Sequence, residues 1–406
     1  MVDNITHTLI GALIGEGAAR TAPSTANEPA AAIRRTLFLA VMIVGSNLPD
    51  SDLVYSLVDN SKLSYLLEHR GHTHTVAGAI LGSAVMLALC ALFLRLRSLR
   101  LSSRDWTWLS ALALGAPLLH VAMDALNTYG VHPWWPVDNR WFYGDAIFIV
   151  EPLFWASAAS LALLFRSLVA RGLVVLCLLL AIYLALTTGL VAGGSIAAFC
   201  LLALTMVVLG RYAKPTVAIF TALGMCAVIS AVFVVAHGQA VARVDSDGAS
   251  RLAGWTTLDR VLTPLPMNPL CWEVIVVQSQ GDRYALRRAM ASLVPNIHCP
   301  TRSMDRPVTA PLESAEMPDT PYLRWHGQFT GSRERLRALA ATSCEVAALL
   351  RFARAPWFRE SEPSMAGDLR YDREPEPGFA EIVLTRPPQC PVYVPPWVPP
   401  RTDLLR

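Results

Sequence analysis

Long apolar runs fill the first 236 positions of this 406-residue chain and then stop. Eight of them, at 5–19, 37–58, 75–94, 107–127, 147–165, 172–191, 195–210 and 215–236, are separated by short polar stretches. Most approach the ~20 residues that a helix needs to cross a bilayer. The pattern therefore predicts an all-α polytopic membrane domain of about eight segments over 1–236. Two runs are unusual. The first carries His7 and Glu16 and is preceded by Asp3 rather than by basic residues. It reads as a retained short or re-entrant helix, not as a secretory signal. The second is broken by a turn at Pro49-Asp50. Residues 20–36 and 59–74 are expected to be loops.

Beyond 236 the periods shorten. Residues 270–278 are rich in Val and Ile and read as a strand. Residues 331–353 carry apolar positions at helical spacing. Tyr371 and residues 379–385 read as further strands, and the Pro-rich run 387–400 as surface chain without regular structure. Residues 237–406 are thus expected to form a small α+β soluble domain.

Arginine placement orients the chain. Arg20, Arg34 and Arg35, then Arg95 to Arg104, then Arg166 with Arg171, then Arg211 with Lys214, fall on alternate loops. Basic loops stay on the cytoplasmic side. The remaining loops, 59–74, 128–146 and the Gly193-Gly194 turn, together with the tail, are then extracytoplasmic. The aromatics of 128–146, including Trp134 and Trp135, suit a membrane–water boundary better than a substrate platform. Composition agrees with this picture: 53% of residues are apolar and 16% charged, outside the usual soluble range. A net charge of +3 without a basic stripe argues against nucleic acid as a partner. Of eight cysteines, Cys271, Cys299, Cys344 and Cys390 lie in the tail, where an oxidising compartment would allow two disulfides.

On this orientation, ionisable residues gather at one level. They are His7, Asp50 with Asp52, the stretch His69-Arg70-Gly71-His72-Thr73-His74, and His120 with Asp124. The last two are four apart and share a helix face. Imidazoles with carboxylates suit zinc, manganese or iron, and such groups at membrane depth need a partner or an ion. Simpler readings stand beside this one. His7 could be an interfacial histidine, Asp50 a helix-ending cap, and Asp52 an orienting partner of a histidine. His120 with Asp124 could be a buried hydrogen-bonded pair. His72 could point to solvent, and Arg70 could anchor a headgroup or clamp an anion. Glu151, before Pro152, reads as a helix-capping carboxylate. Glu16 falls at the opposite end of its segment and is left out of the site.

Thr6-His7, Pro49-Asp50-Ser51-Asp52, His69-Arg70-Gly71-His72-Thr73-His74-Thr75 and His120-Val-Ala-Met-Asp124 resemble the recurrent elements T-H, P-D-x-D, H-R-G-x-T-H-S/T and H-x-x-x-D. These belong to bacterial inner-membrane proteins described as metal-dependent hydrolases, of the membrane-bound, LexA-regulated type. Their helical core is distantly similar to zinc-dependent phospholipase C. The resemblance covers about residues 1–190. It implies metal-site positions at His7, Asp50, His69, His74, His120 and Asp124, with His72 on the variable position.

Two functions follow. One is a membrane-embedded metallohydrolase holding one or two divalent ions, zinc first. It would act on a phosphoester or ester bond of a lipid or lipid-linked substrate, with Asp52 or a spare carboxylate as base and Arg70 on the phosphate. The other is a non-enzymatic metal-binding transporter or sensing scaffold whose tail binds a periplasmic partner. A transporter needs a polar path to both faces, and residues 172–236 hold almost no polar side chains. A phosphatase or fluorescent-protein fusion after Arg406 should report an extracytoplasmic end; a cytoplasmic end would reverse the orientation and remove the disulfides.

Overall fold

The computed structural model describes residues 3–23, 28–247, 254–300, 311–315, 317–371 and 377–406. Its first part is helical: α1 (Asn4–Thr21), α2 (Glu28–Gly45), a 3-10 helix (Pro49–Leu57), α3 (Lys62–Glu68), α4 (Val76–Leu96) and α5 (Ser103–Asp124). After an irregular stretch come the short α6 (Pro152–Ser157) and α7 (Leu161–Leu164), then α8 (Leu168–Thr187), α9 (Gly193–Tyr212) and the long α10 (Pro215–Asp247).

Among the described residues, five helices, α4, α5, α8, α9 and α10, are long and apolar enough to cross a membrane. Residues 31–45 of α2 and the 3-10 helix, bent by 52° at their junction, could count as a sixth. Eight were expected, and the difference has local causes. The run 147–165 breaks into two short helices. The first run forms α1, which packs inside the protein, with eleven of its eighteen residues buried. A Cβ on Gly11 would lie 2.8 Å from the Met42 carbonyl oxygen, and one on Gly15 3.0 Å from that of Phe38. Glycine is therefore what lets α1 press against the backbone of α2. Buried Glu16 is held by Arg20 at 2.6 Å and Arg35 at 2.7 Å, well away from the histidines.

Capping and packing fix the other two helices that matter for the site. A reciprocal Ser102–Asp105 capping box starts α5. Inside it, Pro117 has no N–H for the Ala113 carbonyl, and Ser83 of α4 donates to that oxygen at 2.8 Å. The proline defect thereby becomes a tie between α4 and α5. Two expected loops hold helix: α2 begins at Glu28, and α3 lies within 59–74, capped by Ser61.

The tail carries two antiparallel sheets. In the first, β1 (Thr256–Leu265), β2 (Asn268–Gln280), β3 (Arg283–Ser292), β4 (Glu313–Ser314) and β5 (Leu323–Ser332) lie in the order β1-β2-β3-β5-β4. There follow α11 (Arg333–Thr342) and α12 (Cys344–Leu349), a three-stranded sheet of β6 (Pro356–Arg359), β7 (Met365–Asp368) and β8 (Glu381–Val383), and α13 (Thr402–Leu405). The expected strand at 270–278 falls within β2, and β8 falls within 379–385. The single helix expected over 331–353 is interrupted because Ser343 caps a new one, accepting from the Val346 amide. Tyr371 ends a 3-10 turn instead of joining a strand.

The tail is not a separate appendage. Arg354 binds Asp145 at 2.8 Å and Asp259 at 2.7 Å, linking the 128–146 loop to β1. Burial pushes the Asp145 carboxyl up to about 6 in spite of Arg354. Arg370 donates to the Thr128 carbonyl at 2.6 Å. Near the end of the chain, the Trp397 indole donates to Leu67 O of α3 at 2.7 Å and stacks on His132 at 3.7 Å. Disulfides join Cys271 to Cys299 and Cys344 to Cys390, and the four helical cysteines are free thiols. Alkylation of denatured, unreduced protein should therefore label four of eight cysteines. Removing Cys344 and Cys390 together should lower stability by about 2–4 kcal/mol. Labelling of all eight would exclude both bonds.

Candidate metal centre

Four chain segments deliver the site to one end of the helical region. Asp3 starts the first by capping α1, accepting the Thr6 amide at 2.8 Å, and this sets His7 in the opening turn. The turn after α2 is fixed to α1 by the Asn47 amide, which donates to Thr8 at 2.9 Å. Pro49 then starts the 3-10 helix carrying Asp50 and Asp52. His69 ends α3, Arg70 takes a left-handed φ of 61°, and Thr75 caps α4. A Cβ on Gly71 would lie 2.7 Å from Glu68 O, so this tight return needs glycine. It places His69 and His74 on the same side. The fourth segment is the last turn of α5, with His120 and Asp124 on one face.

All six of His7, Asp50, His69, His74, His120 and Asp124 are buried, as are Asp52 and Arg70. His74 Nε2 lies 3.3 Å from Asp50 Oδ1, 3.3 Å from Asp124 Oδ2 and 3.1 Å from His120 Nε2. His120 Nε2 is 3.4 Å from Asp124 Oδ2, and His7 Nε2 is 3.4 Å from Asp124 Oδ1. The His7 ring stacks on His120 at 3.7 Å. Donor atoms of Asp50, His74, His120 and Asp124 lie within 4.8 Å of one another, as do those of Asp50, Asp52 and His69. Asp50 is common to both groups.

Second contacts set which nitrogen faces inward. His120 Nδ1 donates to the Ser46 carbonyl at 2.6 Å, leaving the Nε2 lone pair directed at the cluster. Asp52 takes the Nδ1 atoms of both His69, at 3.0 Å, and His74, at 3.2 Å. It also accepts from the Arg70 amide at 2.9 Å and the Thr73 hydroxyl at 3.1 Å. Asp52 is therefore fully engaged in orienting the histidine loop. Arg70 is enclosed, not surface-directed: Nε lies 3.0 Å from Asp124 Oδ2, and one terminal nitrogen donates to Asn127 at 2.7 Å. Its other terminal nitrogen, Nη2, has no hydrogen-bond partner.

This donor set fits a cation. Three carboxylates, Asp50, Asp52 and Asp124, face one guanidinium, Arg70, which leaves two negative charges in a dry place when the histidines are neutral. Uncompensated buried charge is strongly unfavourable. With Nδ1 committed on both His74 and His120, two Nε2 lone pairs oppose each other at 3.1 Å. Such an approach needs a positive charge between or beside them. Both oxygens of Asp50, both nitrogens of His7 and His69 Nε2 are buried without a hydrogen bond, as unfilled ligand positions are.

His72 stands apart, half-buried between Trp135 and Trp397, and it lines a separate cavity of about 490 Å³ with Tyr55 and α4. Glu151 caps α6 by accepting the Leu153 amide, and it also accepts the Met267 amide from the tail. Sequence reasoning missed Asn127, His132 and Ser46. Asn127 lies three residues beyond Asp124, a spacing that could have drawn notice. His132, whose Nδ1 meets Arg70 O at 3.3 Å, sits inside an aromatic-rich loop that masked it. Ser46 acts through its carbonyl and leaves no trace in the side-chain pattern.

The helical region is similar to known membrane proteins. Residues 1–196, the stretch that carries every one of these donors, match the model of the YdjM inner membrane protein family. The uncharacterized protein YfhP of Bacillus subtilis (strain 168) is similar, 30% identical over 156 residues, which is 38% of this chain and 44% of that protein. The chain thus spans under half the length of this relative. No solved structure matches, and the likeness to zinc-dependent phospholipase C rests on the sequence motifs alone.

Elemental analysis of the purified protein should find one or two transition-metal ions per chain, lost when His69→Ala and His74→Ala are combined. Asp52→Asn should retain every proposed ligand yet weaken metal binding by about 10- to 100-fold, the usual cost of losing an orienting partner. Unchanged affinity would show that Asp52 does not set the histidines.

Proposed function

We propose that this protein is a membrane-embedded metal-dependent hydrolase. It acts on a phosphoester or ester bond of a lipid or lipid-linked substrate at the outer face of the inner membrane. The observation that carries the reading is the buried set Asp50, His74, His120 and Asp124, whose donor atoms converge from three segments within 4.8 Å. His7 and His69 complete the proposed ligands. Zinc is the first choice for this mixture of imidazole and carboxylate, with manganese or iron as alternatives. Asp50 belongs to both donor groups and would be a ligand whether one ion or two were held.

When bound, such ions supply Lewis-acid polarisation of the scissile group and activation of a water near neutral pH. The protein's own groups do the rest. Asp52 and the Ser46 carbonyl hold three histidines in the tautomer that points Nε2 at the centre. Asp52 spends its oxygens on four donors, which suits positioning better than proton transfer. An oxygen of Asp50 not used as a ligand is the better proton acceptor, since neither is hydrogen-bonded. The Arg70 Nη2 group is buried and unengaged, and it would donate to an anionic substrate oxygen.

Supporting the extracytoplasmic placement, both tail disulfides are of the kind that persists outside the cytoplasm, and the tail covers the end of the helical region where the centre lies. Transport through the later helices finds no support: α8 and α9 are apolar and turn most of their surface outward. The test is a hydrolysis screen of phospholipids and generic phosphoesters with added zinc or manganese. Wild type should turn over at least one class, and Asp124→Ala should fall to the background rate. Equal rates for the two proteins, in preparations that differ in metal content, would remove the hydrolase reading while leaving the metal site.

A further inference from the structure

A cavity of about 600 Å³ opens beside the centre, within the usual range for ligand pockets. Its contact with the centre is His69, which is buried and whose Nε2 has no hydrogen bond. The His69 ring stacks on Tyr65 at 5.1 Å and meets Tyr129 edge-on at 5.6 Å. The opposite wall comes from the tail. Phe379 meets Tyr65 at 5.8 Å and Tyr371 at 5.3 Å, and Tyr371 meets Tyr129 at 6.1 Å. Four rings, two from the helical region and two from the tail, thus form a continuous aromatic surface that ends at a metal-site histidine. Phe148, Ile149 and Val150 add apolar lining.

The charged residues on this wall are already committed. Arg370 donates to Asp368, to Phe352 O and to Thr128 O. Asp3 caps α1 and accepts from Trp155. The cavity therefore offers aromatic and aliphatic surface but no uncommitted ion, while the carboxylates, imidazoles and Arg70 stand at its His69 end. An occupant that satisfies both has a polar, hydrolysable head and an apolar body.

We propose that the tail completes a substrate chamber for the apolar chain of an amphiphile, with Tyr371 and Phe379 setting which chains fit. The proposal rests on the hydrolase reading, because it places the ester or phosphoester head at the proposed metal centre. It gives the tail a part in substrate choice: the helical region holds the head and the tail measures the chain.

Non-hydrolysable alkylphosphonates, from methyl to dodecyl, provide the probe. Binding is measured by calorimetry on full-length, manganese-loaded protein in lipid nanodiscs, with empty nanodiscs subtracted for partitioning. In wild type, affinity should rise by about fourfold per added methylene until the chamber is full, then level off. Phe379→Ala combined with Tyr371→Ala should flatten that slope while metal content and methylphosphonate affinity stay as in wild type. Phe379→Leu, a milder change that keeps an apolar wall, should retain most of the slope and so guards against a folding defect in the double variant. A length-independent affinity in metal-loaded wild type overturns the chamber and leaves the metal site intact. So does a double variant that keeps the full slope. Wild type that binds no metal at all overturns the hydrolase reading, and the chamber with it.

Discussion

The helical region is built around an electrostatic debt that no part of the chain can settle alone. Asp50, Asp52 and Asp124 are buried against one guanidinium, in surroundings where desolvating a carboxylate is among the most unfavourable steps in folding. Hydrogen bonds from Thr73, the Arg70 amide and the Nδ1 atoms of His69 and His74 answer the need of Asp52. They do nothing for the oxygens of Asp50. What remains is a negative concavity ringed by imidazole lone pairs, a set of donors that could hold a metal ion. Several features that look incidental follow from this need: glycines that let α1 bring His7 inward, a left-handed residue in the histidine loop, and a serine carbonyl that fixes a tautomer.

Much of that site could be read from the chain. The donors are chemically loud: histidine and aspartate are rare inside apolar segments, and spacing alone put His120 with Asp124. The orienting role of Asp52 and the enclosure of Arg70 were less legible. A sequence shows which groups are present at a level but not which atoms meet. Ser46 and the carbonyls that receive Arg70 and Arg370 are silent for the same reason, since backbone oxygens carry no residue identity.

The fold was legible in proportion to the regularity of its periods. Helices α4, α8 and α9 followed the apolar runs because they are apolar on nearly every face. At α1 and 147–165 the apolar runs do not become candidate spans, because small or polar residues there mark burial inside the protein, which hydropathy does not separate from membrane exposure. The two-sheet tail was only half visible. Strand β2 is buried along most of its length and reads clearly, whereas α11 and α12 merge in sequence and are parted by one capping serine.

The cavity beside His69 has a composite origin. Its metal-side residues lie within the region that matches the YdjM family, residues 1–196, while Thr263, Arg370, Tyr371 and Phe379 lie beyond it. A chain that keeps the N-terminal half and exchanges the C-terminal one would keep the same cluster of donors beside a differently shaped receptacle. If the proposed activity holds, reactivity and selectivity are divided along the polypeptide itself, and a shared reaction need not mean a shared substrate.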